Sequence, residues 1–148
     1  IEVVGGKDRC LAYGSLKTSA GTPIAGRLAL IYDGLSEVIE KYQPDRAGIE
    51  KLFFSTNVKT AMLVAEARGV IRLCLQRHGL DCLEVGPAEV KIAVCGHGGA
   101  GKGEVQKMTK VLLRLAEIPR PDDAADALAL AITVAHTMAP AKDNAVSR

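Results

Sequence analysis

Aromatic side chains are scarce in this chain: there is no tryptophan, and the only two phenylalanines stand side by side as Phe53-Phe54. Paired cysteines are missing too. Cys10, Cys74, Cys82 and Cys95 form no Cys-x-x-Cys, and three of them lie in apolar runs, where thiols behave as small hydrophobes. They read as reduced structural residues of a cytoplasmic protein. No signal peptide and no long apolar span occurs, so no membrane partner is expected. Internal repeats are absent. A net charge of +2 is too small to establish nucleic-acid binding by itself. With 48% hydrophobic residues, the 148-residue chain can bury one core, expected over residues 1–138, ahead of a frayed tail at 139–148.

What is present is a split set of carboxylates. Glu50 ends the short apolar stretch Arg46-Ala47-Gly48-Ile49-Glu50, which follows the breaker Gln43-Pro44-Asp45 and reads as a buried strand. Asp123 and Asp126 open an otherwise uncharged helix, Asp123 to Met138, with apolar residues on every face beyond Asp126. Their i, i+3 spacing places both on one face, where two oxygen ligands can share one ion. Carboxylates close to a hydrophobic core need a compensating cation or proton, and three of them suggest a divalent-metal site. The plainer alternatives are that Asp122 or Asp123 caps the helix and that Glu50 is the solvated end of its strand.

The rest of the pattern is mixed. Strands are expected at Ile1–Val4 and Leu11–Leu16, joined by a hairpin through Gly5-Gly6-Lys7-Asp8, and again at Cys82–Val85. Thr22-Pro23 starts a helix with Leu28, Ile31, Leu35, Val38, Ile39 and Tyr42 at helical spacing. Further helical segments are expected at Thr56–Arg77, Pro87–Val94 and Gly103–Glu117. Strands followed by alternating helices and strands describe an α/β domain with a mixed sheet flanked by helices.

Gly96-His97-Gly98-Gly99-Ala100-Gly101-Lys102-Gly103 has the spacing of a phosphate-binding loop, but Gly103 stands where a hydroxyl must ligate magnesium. The segment before it also reads as a helical turn, not a strand. A mobile loop bringing Lys102 towards DNA phosphates and a plain connector both remain open. Lys91, Lys102, Lys107, Lys110, Arg114 and Arg120 give this stretch a basic flank beside the acids, as phosphodiester chemistry would require. Phe53 and Phe54, just after Glu50, could pack in the core or stack on an unpaired base.

Three segments carry a resemblance: Ala47-Gly48-Ile49-Glu50-Lys51-Leu52-Phe53 with Asn57 and Ala67-Arg68-Gly69-Val70; Lys91 with the glycine loop ending in Lys102; and Asp123-Ala124-Ala125-Asp126-Ala127-Leu128-Ala129. In these the chain resembles the RuvC family of Holliday junction resolvases. The resemblance implies an RNase H-like fold and a homodimer whose interface the helix from Thr56 helps to form. It further implies paired, magnesium-dependent nicking of four-way junction DNA, with two ions per site and manganese able to substitute. RuvA and RuvB, the branch-migration machinery, would be partners. Glu50, Asp123 and Asp126 would be the catalytic metal ligands, Phe53 would stack near the crossover, and Asn57, Lys91 and Lys102 would contact DNA. The family opens with a strand whose Gly-Ile-Asp-Pro-Gly stretch carries a further aspartate, which residues from Ile1 onward do not contain. The expectation is a truncated sequence that does not cut as it stands. Another RNase H-like nuclease and a non-cleaving junction-binding module are the alternatives.

Overall fold

A computed structural model describes residues 1–51 and 58–137. Phe53, Phe54, Asn57 and the tail expected at 139–148 lie outside the described residues. The chain opens with strand β1 (Glu2–Val4) paired antiparallel to β2 (Lys7–Arg9), Val4 opposite Lys7. The turn between them is Gly5-Gly6 alone, with φ of 58° and 73°. A two-residue hairpin turn that demands positive φ at both positions suits two glycines. It also corrects the expected hairpin: the chain folds back directly after Gly6, so Lys7–Arg9 is the second strand. Leu11–Leu16 forms no ladder. Leu16 packs instead on helix α1 (Ile24–Tyr42), where a Cβ on Gly34 would lie 2.7 Å from its side chain.

Helix α1 follows Pro23 as expected and stops at Gln43, whose left-handed backbone donates its N–H to the Ile39 carbonyl at 2.8 Å. Strand β3 (Ala47–Glu50) then pairs in parallel with β4 (Cys82–Val85), in register from Ala47–Cys82 to Glu50–Val85. Parallel neighbours need a crossover, and helix α2 (Val58–Arg77) supplies it. The fully buried Cys74 ties α2 to α1 through a 3.3 Å contact between its Sγ and Ser36 Oγ. All four cysteines are free thiols.

Helices α3 (Pro87–Cys95), α4 (Lys102–Leu112) and α5 (Asp122–His136) complete the order. Pro87 occupies the first turn of α3, where its missing N–H costs nothing. Helix α4 ends short of the expected Glu117, because the chain turns left-handed at Arg114, φ 53°. Helix α5 starts after Pro121, and no aspartate side chain caps it. Its inner face, Leu128, Ala129 and Ile132, joins Val94, Ala100, Val105 and Leu113 in the main core. It also packs on β3. A Cβ at Gly48 would collide with Val134 and Leu130, so the missing side chain lets the helix rest on the strand backbone.

Among the described residues the antiparallel and parallel pairings form two two-stranded ladders that do not hydrogen-bond to each other. Between them runs a cleft of about 1380 Å³, with β1 on one side, Gly48 to Glu50 on the other, and Leu130 and Val134 of α5 in its wall. Among the described residues no helix is long and apolar enough to cross a membrane.

Candidate active site

Glu50, Asp123 and Asp126 all line this cleft, together with Lys91 and Lys102. The fold thus brings together acids separated by more than seventy residues of sequence. One expectation is corrected: none of the three presses into the core. All three residues are exposed. Glu50 is the last residue of β3, and the α5 face carrying Asp123 and Asp126 is turned away from the one that buries Ala125, Leu128 and Ala129. Solvation rather than burial sets the cost of these charges, so their grouping, not their desolvation, is the argument for a shared role.

The α5 half is electrically paired. Lys102 Nζ lies 3.4 Å from an Asp126 oxygen and 3.6 Å from one of Asp122, and Asp122 also takes a 2.7 Å bond from Arg120. The hydrogen bond and the charge of Asp126, with a smaller part from Asp122, hold the Lys102 ammonium above its ordinary pKa. Such exposed pairs add little stability. Their value is placement. Lys102 begins α4 at the end of the glycine loop, where Gly96 closes α3 in the left-handed conformation and Ala100 is only 1% exposed. Since α3, not a strand, precedes that loop, the nucleotide-loop reading is excluded. The ammonium also points at the acids.

The β3 half is held by a different set of groups. Lys51 donates its backbone N–H to the Val85 carbonyl at 2.8 Å, continuing the ladder one step past Glu50. Its side chain bonds Glu89 at 2.8 Å, and Glu89 also accepts the Gly86 N–H at 2.6 Å. Those bonds, Lys51 first, pull the Glu89 carboxyl below its usual pKa. From α2, Arg68 hydrogen-bonds the Glu50 backbone carbonyl and pairs with Glu84 at 2.9 Å, while Arg72 meets Glu84 at 2.6 Å. Sequence reasoning gave Arg68 and Glu84 no role. The available signal was an acid inside the strand Cys82–Val85 facing two arginines one helical turn apart.

The donor chemistry fits a hard divalent cation: carboxylate oxygens on two facing elements, with an ammonium already drawn to one of them. Among the described residues no three His, Cys, Asp or Glu side chains lie close enough to hold an ion as they stand. The acids share a cleft rather than a coordination sphere.

The family model described as Crossover junction endodeoxyribonuclease RuvC matches residues 1–134. Proteins of that name from Heliobacterium modesticaldum and Brevibacillus brevis are 50% and 48% identical over 138 and 133 residues, covering 93% and 90% of this chain and 85% and 80% of theirs. The structure of Thermus thermophilus RuvC in complex with a Holliday junction substrate superposes with a TM-score of 0.85 at 34% identity, covering 90% of this chain and 81% of that one. A further Thermus thermophilus RuvC structure gives 0.77 at 34% identity over 86% of this chain and 75% of that one. The α/β, RNase H-like arrangement expected from the sequence is the one these structures match.

Proposed function

The chain belongs to the RuvC family of crossover junction endodeoxyribonucleases, and from that premise we propose how its cleft acts on a Holliday junction. The protein is a structure-selective DNA endonuclease of recombination and repair, resolving four-way junctions by paired nicks. The observation that carries the site assignment is the meeting of Glu50 with Asp123 and Asp126 in one cleft beside Lys91 and Lys102.

Glu50, Asp123 and Asp126 hold magnesium, two ions per site, with manganese able to substitute. Bound there, the ions supply an activated water and neutralise charge at the scissile phosphate. The residues do the rest. Lys102, already held beside Asp126, is placed to meet the incoming phosphate, and Lys91 anchors the same DNA strand from α3. Phe53 stacks on a base opened at the crossover, and Asn57 contributes to DNA binding. A homodimer would present two such clefts to one junction, and α2 leaves Met62, Leu63 and Leu73 exposed on a face suited to that contact. Action with RuvA and RuvB in the cytoplasm completes the reading.

In the full-length polypeptide, Glu50→Gln and Asp126→Asn are expected to reduce magnesium-dependent nicking of a synthetic four-way junction to background. Junction affinity should stay within about twofold, because binding sums over many phosphates. A variant that cuts at the wild-type rate removes its residue from the mechanism.

One observation favours a second reading, a module that binds junctions without cutting: no three ligands converge among the described residues. An extended segment seated between β1 and β3 and bearing one more aspartate would complete the site. A junction that residues 1–148 bind but do not nick would favour this reading. Cleavage by a longer polypeptide carrying such a segment, with loss on mutating its aspartate, would decide for the nuclease.

A further inference from the structure

Arg68 is the residue at this site whose placement the junction-cutting reading leaves unused. Its side chain is only 12% exposed, far below that of its neighbour Arg72 at 56%. It reaches from the middle of α2 to two places at once: the Glu84 carboxylate on β4 and the backbone carbonyl of Glu50 at the end of β3. That carbonyl has no partner in the ladder. The peptide joining Glu50 to Lys51 turns its N–H to Val85 on β4, and a trans peptide turns its carbonyl the opposite way, out of the ladder. A guanidinium offers donors in a rigid fork, so one group can serve the carboxylate and the carbonyl together. Glu84 faces Ile49 across the ladder, one step before Glu50. Arg72 bonds the same Glu84 but has no bond to Glu50.

We infer that Arg68 is a positioning residue for the Glu50 carboxylate, fixing the peptide from which that side chain departs towards the cation. The inference rests on the proposed metal role of Glu50. Partners behind a metal ligand set its orientation, and losing one typically weakens metal binding about 10- to 100-fold. Arg68 does this through the main chain. It neither touches the ion nor the DNA in this assignment. Arg72 supplies a built-in control, since its removal takes a separate pairing from the same Glu84 without releasing Glu50.

The test is manganese binding to the full-length protein without DNA, followed by the electron paramagnetic resonance of free Mn²⁺, with thermal melting measured in parallel. Arg68→Ala is expected to weaken Mn²⁺ binding roughly tenfold, Arg68→Lys less, and Arg72→Ala by no more than about twofold. Glu50→Gln sets the scale of full loss. Wild-type affinity in a folded Arg68→Ala protein overturns the inference, and so does an equal loss in Arg68→Ala and Arg72→Ala, which is the mark of a merely structural role. Should Glu50→Gln itself bind Mn²⁺ normally, the metal-site reading fails and takes this one with it. If Arg68→Ala does not fold, Glu84→Gln replaces it, because it loosens Arg68 without removing it. A several-fold weakening then supports the inference, and unchanged affinity overturns it.

Discussion

Asp126 and Glu50 face one cleft, yet the elements beneath them are secured in opposite ways. Asp126 rides on a helix whose inner residues Ala125, Leu128, Ala129 and Ile132 are each 3% exposed or less. Glu50 ends a four-residue strand of half-buried residues, and its neighbourhood is completed by Arg68, Glu84, Lys51 and Glu89. Burial is non-directional and is not screened by mobile ions, whereas charged contacts at a surface depend on ionic strength and protonation. The comparison teaches that a site can take position from a core on one side and from a polar clasp on the other. The two sides should therefore fail under different stresses.

The strongest way to break the comparison is through the core. Ile132→Ala, six positions from Asp126 on the buried face, should cost about 2–5 kcal/mol of stability, read as a lower melting temperature. If it melts as the wild type does, α5 is not held by its inner face. A middle-sized effect lies at the cation beside the acids. Lys102→Ala should weaken binding to junctions of every sequence and flatten the salt dependence by about one unit of slope, measured by isotherms over a salt series. Unchanged slopes would return the glycine loop to the plain-connector reading.

The smallest effect belongs to the polar side. The folded-state pKa of Glu89 lies below its ordinary value because of Lys51 and the Gly86 N–H. A depressed carboxyl contributes stability that is present above the unfolded pKa and is lost as pH falls through the folded one. Thermal melts over the acid range, from about pH 5 down to pH 3, should show the wild type losing slightly more stability than Glu89→Gln. Parallel curves would show that the Lys51–Glu89 bond is indifferent to protonation.

Much of this was legible in the residues. The i, i+3 aspartates, the start at Thr22-Pro23 and the turn into Pro87 follow from local chemistry, because spacing and backbone restriction act within a few residues. The closing strand of the hairpin is not where Leu11–Leu16 suggests, because the double glycine has already turned the chain. Exposure of Glu50 and of the aspartates could not be read either. Whether an acid at an element's end meets solvent depends on what packs beside it, which is a tertiary matter. Likewise, nothing local says that Arg68 reaches Glu50 or that Lys102 turns to Asp126, since both depend on the α2 crossover and on the bend from α3 into α4.

Gly48 lies two residues before Glu50, directly beneath Val134 and Leu130 of α5. A hydrogen atom there acts as the gauge for the whole cleft: it fixes the clearance between the strand that ends in one acid and the helix that begins with the other two. A methyl group at that point would work as a shim, lifting the helix and carrying Asp123 and Asp126 with it. The span across which the three carboxylates must cooperate is thus set by an uncharged position that contributes no side chain at all.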